Sequence, residues 1–196
     1  MIITHQGGNY FKLQAGDISL LIDPDNQRSF KGSSLVINTK MPAAVEKPST
    51  DKGGDENTIL WIDHQGEYET RGIRVRGWST GSVGATEHTA YRVSFDDIVI
   101  GILGHLGKEL DQKTQSEFNG IDILILPAGG KPFVPQASAA KIVRQTEPGI
   151  VILSLYKDIK PFIKEFGRAT PETQDKLTIK KKDIEPKAMR IICLTS

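Results

Sequence analysis

At 196 residues, 38% hydrophobic and 25% charged, the chain has the balance of a folded globular domain with enough length for one substantial core. Its 25 basic and 24 acidic residues leave a formal charge of +1, so no global field draws it to nucleic acid, an acidic substrate or an anionic membrane surface. The single cysteine, Cys193, sits in the apolar run Ile191-Ile192-Cys193-Leu194, which excludes an intrachain disulfide framework and a cysteine-rich zinc site and reads as a small core residue.

The first residues, Met1-Ile2-Ile3-Thr4-His5, read straight into a strand without a basic region followed by an apolar one. No later apolar run approaches the ~20 residues that span a bilayer, so a cytoplasmic location without a membrane partner is the expectation. Short strands are predicted over residues 2–5, 10–14, 18–23, 35–39, 59–63, 73–78, 90–95 and 98–103. Gly7-Gly8-Asn9, Ala15-Gly16-Asp17, Asp23-Pro24-Asp25-Asn26 and Asp96-Asp97 supply turn chemistry between them. Residues 46–57 are polar, rich in Gly, Pro and charge, and lack a hydrophobic anchor, which predicts a mobile surface loop inside one domain spanning 1–196.

The second half alternates buried strands at 121–126 and 150–155 with helical repeats. Leu106, Leu110 and Phe118 share one helical face, as do Ala139, Ile142 and Val143. Ile159, Phe162, Ile163 and Phe166 form a full apolar stripe that Gly167 terminates. Residues 177–181 and 189–194 read as closing strands, with Lys180-Lys181-Lys182 a solvated strand end.

Several segments in order resemble the metallo-β-lactamase superfamily, especially its compact bacterial β-lactamase-like members. They are Ile3-Thr4-His5-Gln6-Gly7-Gly8-Asn9-Tyr10, Ile18-Ser19-Leu20-Leu21-Ile22-Asp23-Pro24 and Gly66-Glu67-Tyr68-Glu69 with Gly72-Ile73-Arg74-Val75. Leu103-Gly104-His105-Leu106-Gly107, Ile121-Asp122-Ile123-Leu124-Ile125-Leu126-Pro127-Ala128-Gly129-Gly130 and Glu147-Pro148-Gly149-Ile150-Val151-Ile152 complete the set. The resemblance implies an α/β fold, a four-layer αββα sandwich with its site at one edge between the sheets.

It also implies where metal ligands belong. A catalytic zinc site needs several His, Cys or carboxylate donors and an open position for water. Aligned with the family's HxHxDH loop, this chain carries Lys40, Pro42, Ala44 and Val45; three offer no side-chain donor and a lysine ammonium repels a cation. The family's bridging aspartate aligns with His105 and its C-terminal histidine with Leu155. Without close pairing among His5, His64, His88 and His105, no local metal motif replaces the loop.

The expectation is a scaffold without metal or other cofactor that binds an unknown small-molecule or protein ligand, its oligomeric state open. Asp23, Lys40, His64, Glu67 and His105 are the candidate pocket residues. The alternative is a hydrolase with a rearranged site for zinc or another divalent metal, held by His105, His64 and Asp23. Asp23 before proline also reads as a turn-closing acceptor, and Glu67 and Glu69, two apart on one strand face, read as a solvated face before an acid–base pair. Ser79, Ser82 and Ser154 lack the context of a nucleophile elbow.

Overall fold

The alternation of apolar and polar residues along the short runs fits a pleated sheet with one face buried, and the turns between them fold these runs back on one another. The computed structural model describes residues 1–26, 30, 32–47, 59–167, 171–185 and 188–196. In chain order the first strands are β1 (Ile2–His5), β2 (Phe11–Ala15), β3 (Ile18–Ile22), β4 (Leu35–Ile37), β5 (Lys40–Met41), β6 (Leu60–Ile62) and β7 (Gly66–Thr70). There follow β8 (Ile73–Val83), β9 (Thr86–Phe95), β10 (Ile98–Ile102), α1 (Gln112–Glu117), β11 (Ile123–Pro127), α2 (Gln136–Thr146) and β12 (Ile150–Ser154). The chain ends with α3 (Lys160–Phe166), β13 (Glu172–Gln174), β14 (Lys176–Thr178), a 3-10 turn at Lys181–Asp183 and β15 (Arg190–Leu194).

Among the described residues these strands form two sheets, a first of six strands in the order β14-β1-β2-β3-β4-β6 and a second of nine. The second runs β13-β15-β12-β11-β10-β9-β8-β7, with β5 paired to β9. Alternate side chains of both sheets meet in one core: Phe11, Leu20, Ile22 and Ile37 from the first against Val93, Ile100, Ile125 and Ile152 from the second. The intervening residues of the second sheet, Leu124, Leu126, Val151 and Leu153, point outward onto Phe118, Ile142, Val143 and Phe162 of the helical layer. Over the outer face of the first sheet the cover is thinner, with Phe30 and Val45 packed on Leu21, Val36 and Trp61. No described helix is long and apolar enough to cross a membrane.

Two expectations shift in extent. The helix anticipated through Leu106 and Leu110 begins only at Gln112, because the Asp111 carboxylate accepts the Thr114 amide at 3.0 Å and fixes the helix start there. Leu106 instead closes a turn, donating to Leu103 O at 3.0 Å while its carbonyl accepts from Val134 at 2.8 Å. Strands β8 and β9 run beyond 73–78 and 90–95 into a long hairpin whose far half is polar. The α3 stripe ends as anticipated at Gly167, with φ +77° and its amide bonded to Ile163 O at 2.9 Å. The segment 46–57 lies, apart from its exposed first two residues Glu46 and Lys47, outside the described residues.

Topology fixes where a site can form. Strands β3, β4 and β6 are parallel neighbours in the first sheet, and β10, β11, β12 and β15 in the second. Residues just past the carboxyl ends of such strands, where backbone pairing stops, line the crevice in which parallel sheets hold ligands.

Candidate functional site

Three loops bring polar side chains to that crevice: Asp23 follows β3, Asn38, Thr39 and Lys40 follow β4, and Gly104 and His105 follow β10. Asp23 is the hub, held at φ +44° in a conformation uncommon for a non-glycine residue. Its Oδ1 accepts the Thr39 amide at 2.6 Å, and its Oδ2 accepts Thr39 Oγ1–H at 2.5 Å and Asn9 Nδ2–H at 2.6 Å. The carboxylate side chain is only 8% exposed, so these charge-assisted bonds replace nearly all of its hydration.

The network assigns the His105 tautomer. Thr39 Oγ1 has one proton and commits it to Asp23, so the 2.9 Å contact with His105 Nδ1 is an N–H donated by the imidazole. The His105 backbone amide donates to the same oxygen at 3.3 Å, and Asp23 Oδ2 lies 3.4 Å from Nδ1. Thr39 can come this close because Gly104 has no side chain: a Cβ there would lie 2.1 Å from Thr39 Oγ1. His105 lines the cavity, and Phe133 packs edge-on against its ring at 5.9 Å.

The cavity has a volume of about 220 Å³ and is lined by Asn9, Asp23, Asn38, Lys40, His105 and Leu155, together with Gly7, Gly8, Tyr10, Asp25 and Ala44. Asn9 Oδ1 and Asn38 Nδ2 are buried without partners, while the backbone of Asn38 is pinned by Tyr91 O–H at 3.1 Å and Ile62 O at 2.8 Å. Lys40 pairs across strands with His88, which does not itself line the cavity. Burial, then the neighbouring His105 and Lys40, push the His88 pKa below its ordinary value, with Asp23 opposing. The cavity thus carries Lys40 and His105 beside two carboxylates, the engaged Asp23 and the exposed Asp25, with His88 opposite Lys40 on the neighbouring strand.

Of the five anticipated residues, Asp23, Lys40 and His105 meet in this cavity. His64 does not line it: its side chain is 61% exposed and its Nδ1 contacts the carboxylate of the adjacent Asp63. Glu67 lies in a wider depression of about 510 Å³ on the outer side of β7, β8 and β9, 3.0 Å from Arg76. The arginines there are engaged, Arg76 also with Glu117 at 3.3 Å and Arg92 with the carbonyls of Glu117 and Asn119 at 2.6 and 2.9 Å. That depression is a salt-bridged sheet face, and Glu69 opposes Arg74 in the same register. Asn9, Asn38, Thr39 and His88 were not among the anticipated residues; the polar Asn38-Thr39 pair ending an apolar strand is the one local signal that pointed to them.

Other anticipated positions behave as structure. Val45 packs in the outer cluster, and Ala44 contributes an apolar wall. Leu155 follows β12 at φ +51°, its carbonyl pressed so close to Gly129 that a Cβ on that glycine would lie 2.2 Å away. Burial pushes the Cys193 thiol above its ordinary pKa, as expected of an inert core cysteine.

Zinc would require three or more converging donors. Among the described residues no group of three His, Cys, Asp or Glu side chains is disposed to hold a metal ion. Asp23 and His105 face each other through Thr39 rather than toward a common centre, and Lys40 adds a positive charge. These residues do not fit the metal that the fold implies.

Comparison with known proteins identifies the fold. The family model described as the beta-lactamase superfamily domain matches residues 2–153. Among solved structures, a candidate Zn-dependent hydrolase of the metallo-β-lactamase superfamily from Thermotoga maritima superposes with a TM-score of 0.76 at 20% identity, covering 98% of this chain and 97% of that one. The metallo-β-lactamase fold protein YhfI from Bacillus subtilis gives 0.65 at 10% identity over 100% of this chain and 96% of its own. Igni18, a metallo hydrolase from the archaeon Ignicoccus hospitalis, gives 0.57 at 13% identity, covering 97% and 93% of the two chains. No curated protein matches the sequence. With the family model covering most of its length and both sheets in place, this chain belongs to the metallo-β-lactamase superfamily.

Proposed function

We propose that this chain is a non-catalytic binding member of the superfamily, in which Lys40 holds a small anion at the crevice where the family's dinuclear metal centre belongs. The observation that carries the reading is the occupation of Asp23. Both its oxygens are consumed by Thr39 and Asn9, which leaves the carboxylate a structural acceptor. Lys40 then supplies a positive charge at the rim, where a bound anion is attracted to it, and His88 on the neighbouring strand adds a second only as pH falls toward its lowered pKa. The chain is read as one domain, with Leu155 closing the wall where the family's last histidine belongs.

Isothermal titration with inorganic phosphate and with acetate tests this. At least one anion is expected to bind, and Lys40→Ala is expected to weaken it about tenfold, roughly 1.4 kcal/mol. Unchanged affinity for every anion in Lys40→Ala overturns the reading. The competing one, a metal-dependent hydrolase on His105, His64 and Asp23, draws support from the catalytic names of the structural neighbours. It requires His64 to leave Asp63 and swing toward the cavity.

A further inference from the structure

The sequence holds one Asn-Gly pair, Asn119-Gly120. Helix α1 ends at Glu117, and the chain turns through Phe118, Asn119 and Gly120 on its way to β11. Phe118 is buried, whereas Asn119 and Gly120 are exposed. The main chain of Asn119 is held on both sides: its amide donates to Ser116 O at 3.2 Å, and its carbonyl accepts Arg92 Nη1–H at 2.9 Å. Its side-chain carboxamide and the Gly120 N–H make no hydrogen bond among the described residues. A Cβ built on Gly120, at φ +70°, would meet no atom within 4 Å.

Asn9 and Asn38 differ in the residue that follows. Tyr10 donates its amide to Gly7 O at 2.8 Å, and Thr39 donates its amide to Asp23 Oδ1 at 2.6 Å. Both also carry a side chain beside that nitrogen, which glycine lacks. Of these three asparagines, Asn119 alone joins an unengaged carboxamide to an unengaged and unshielded backbone nitrogen.

We propose that Asn119 is a site of spontaneous modification in the folded protein, with water as the co-reactant. The Gly120 nitrogen attacks Asn119 Cγ, the Cγ–Nδ2 bond breaks, and the Gly120 amide proton leaves with Nδ2 as ammonia, which closes a cyclic succinimide. The step gains from joining two groups already neighbours in the chain. Water then opens the imide. Opening at the side-chain carbonyl gives an aspartyl residue. Opening at the main-chain carbonyl gives an isoaspartyl linkage and leaves a carboxylate at the oxygen that Arg92 holds. Either product is negatively charged at neutral pH and adds that charge beside Arg92 and Glu117, on the wall of the outer depression of β7, β8 and β9. The anion reading neither requires this site nor depends on it.

The test holds the folded protein at physiological temperature for days, at mildly acidic and mildly alkaline pH in heavy-oxygen water, and maps its peptides by mass spectrometry. Residue 119 is expected to exchange its side-chain nitrogen for an oxygen from solvent, with an acidic species growing in step on ion exchange. Attack needs the amide anion, so the rate is expected to rise by up to about tenfold per pH unit. The peptides holding Asn9 and Asn38 are expected to convert about tenfold more slowly or less. Asn119→Gln, whose longer side chain closes a ring far less readily, is expected to lose the acidic species and to keep the wild-type unfolding midpoint. Conversion at Asn119 only after unfolding in urea overturns the proposal, because the native turn then shields the pair. Conversion of Asn9 or Asn38 in the folded protein as fast as Asn119 overturns the role given to the free Gly120 amide, and an acidic species that persists in Asn119→Gln places the chemistry elsewhere.

Discussion

Replacing Thr39 with valine removes a single oxygen and keeps the side-chain volume, so it isolates the hydrogen bonding at the centre of the site. Thr39 is fully buried, and its Oγ1 joins Asp23 Oδ2 at 2.5 Å to His105 Nδ1 at 2.9 Å. A hydrogen bond to a charged group contributes about 1.5–3 kcal/mol, and stranding the buried His105 N–H adds a smaller cost. Asp23 keeps the Thr39 amide and the Asn9 amide, which limits the damage. The expected loss is about 2–4 kcal/mol, or about 5–15 °C in Tm for a domain of this size. Urea unfolding gives the free energy directly, with an unchanged m-value as evidence that the native state is intact. Thr39→Ser, which restores the hydroxyl, is expected to recover most of the loss. A Thr39→Val protein within about 1 °C of wild type refutes the account of Thr39 as the link between Asp23 and His105.

Anion affinity is expected to rise as pH falls below 6.5 toward the lowered pKa of His88, because protonation adds charge facing Lys40, His105 and Asp23; titrations across that range in wild type and His88→Gln check it. The stability effect has the opposite sense. His88 is harder to protonate folded than unfolded, so its contribution is complete above 6.5 and is lost as pH falls through the lowered value, and His88→Gln is expected to flatten the acid limb of a denaturation curve. Gly129→Ala, whose Cβ would lie 2.2 Å from Leu155 O, is expected to lower stability by several kcal/mol, on the order of 3, in urea unfolding. Gly104→Ala is expected to do the same by driving Thr39 off Asp23, and a wild-type unfolding midpoint in either variant contradicts the close approaches described.

The sheets were legible because their signal is local: Leu20, Ile22 and Ile37 repeat at the period that puts them on one face, and the Gly and Asp turns mark where the chain reverses. The outer halves of β8 and β9 were not, since Ser79, Thr80, Ser82 and Glu87 carry no apolar alternation and are strand only because the hairpin pairs them. Likewise Leu106 and Leu110 sit at helical spacing while Asp111 holds the helix start to their C-terminal side. At the site, Asp23, Lys40 and His105 emerged from the order of the segments. Thr39 did not, because the contact that makes it central joins residues 66 apart in sequence. Glu67 was placed near the rim by its position in the chain, but its strand register faces it to Arg76 on the far side of the sheet.

On the reading proposed above, the pocket of Asp23, Lys40 and His105 works without the metal its fold ordinarily carries. Elemental analysis of protein purified without chelator tests it most directly. Zinc, manganese and iron are each expected far below one equivalent, unchanged in His105→Ala. A metal content near one equivalent that disappears in His105→Ala contradicts it.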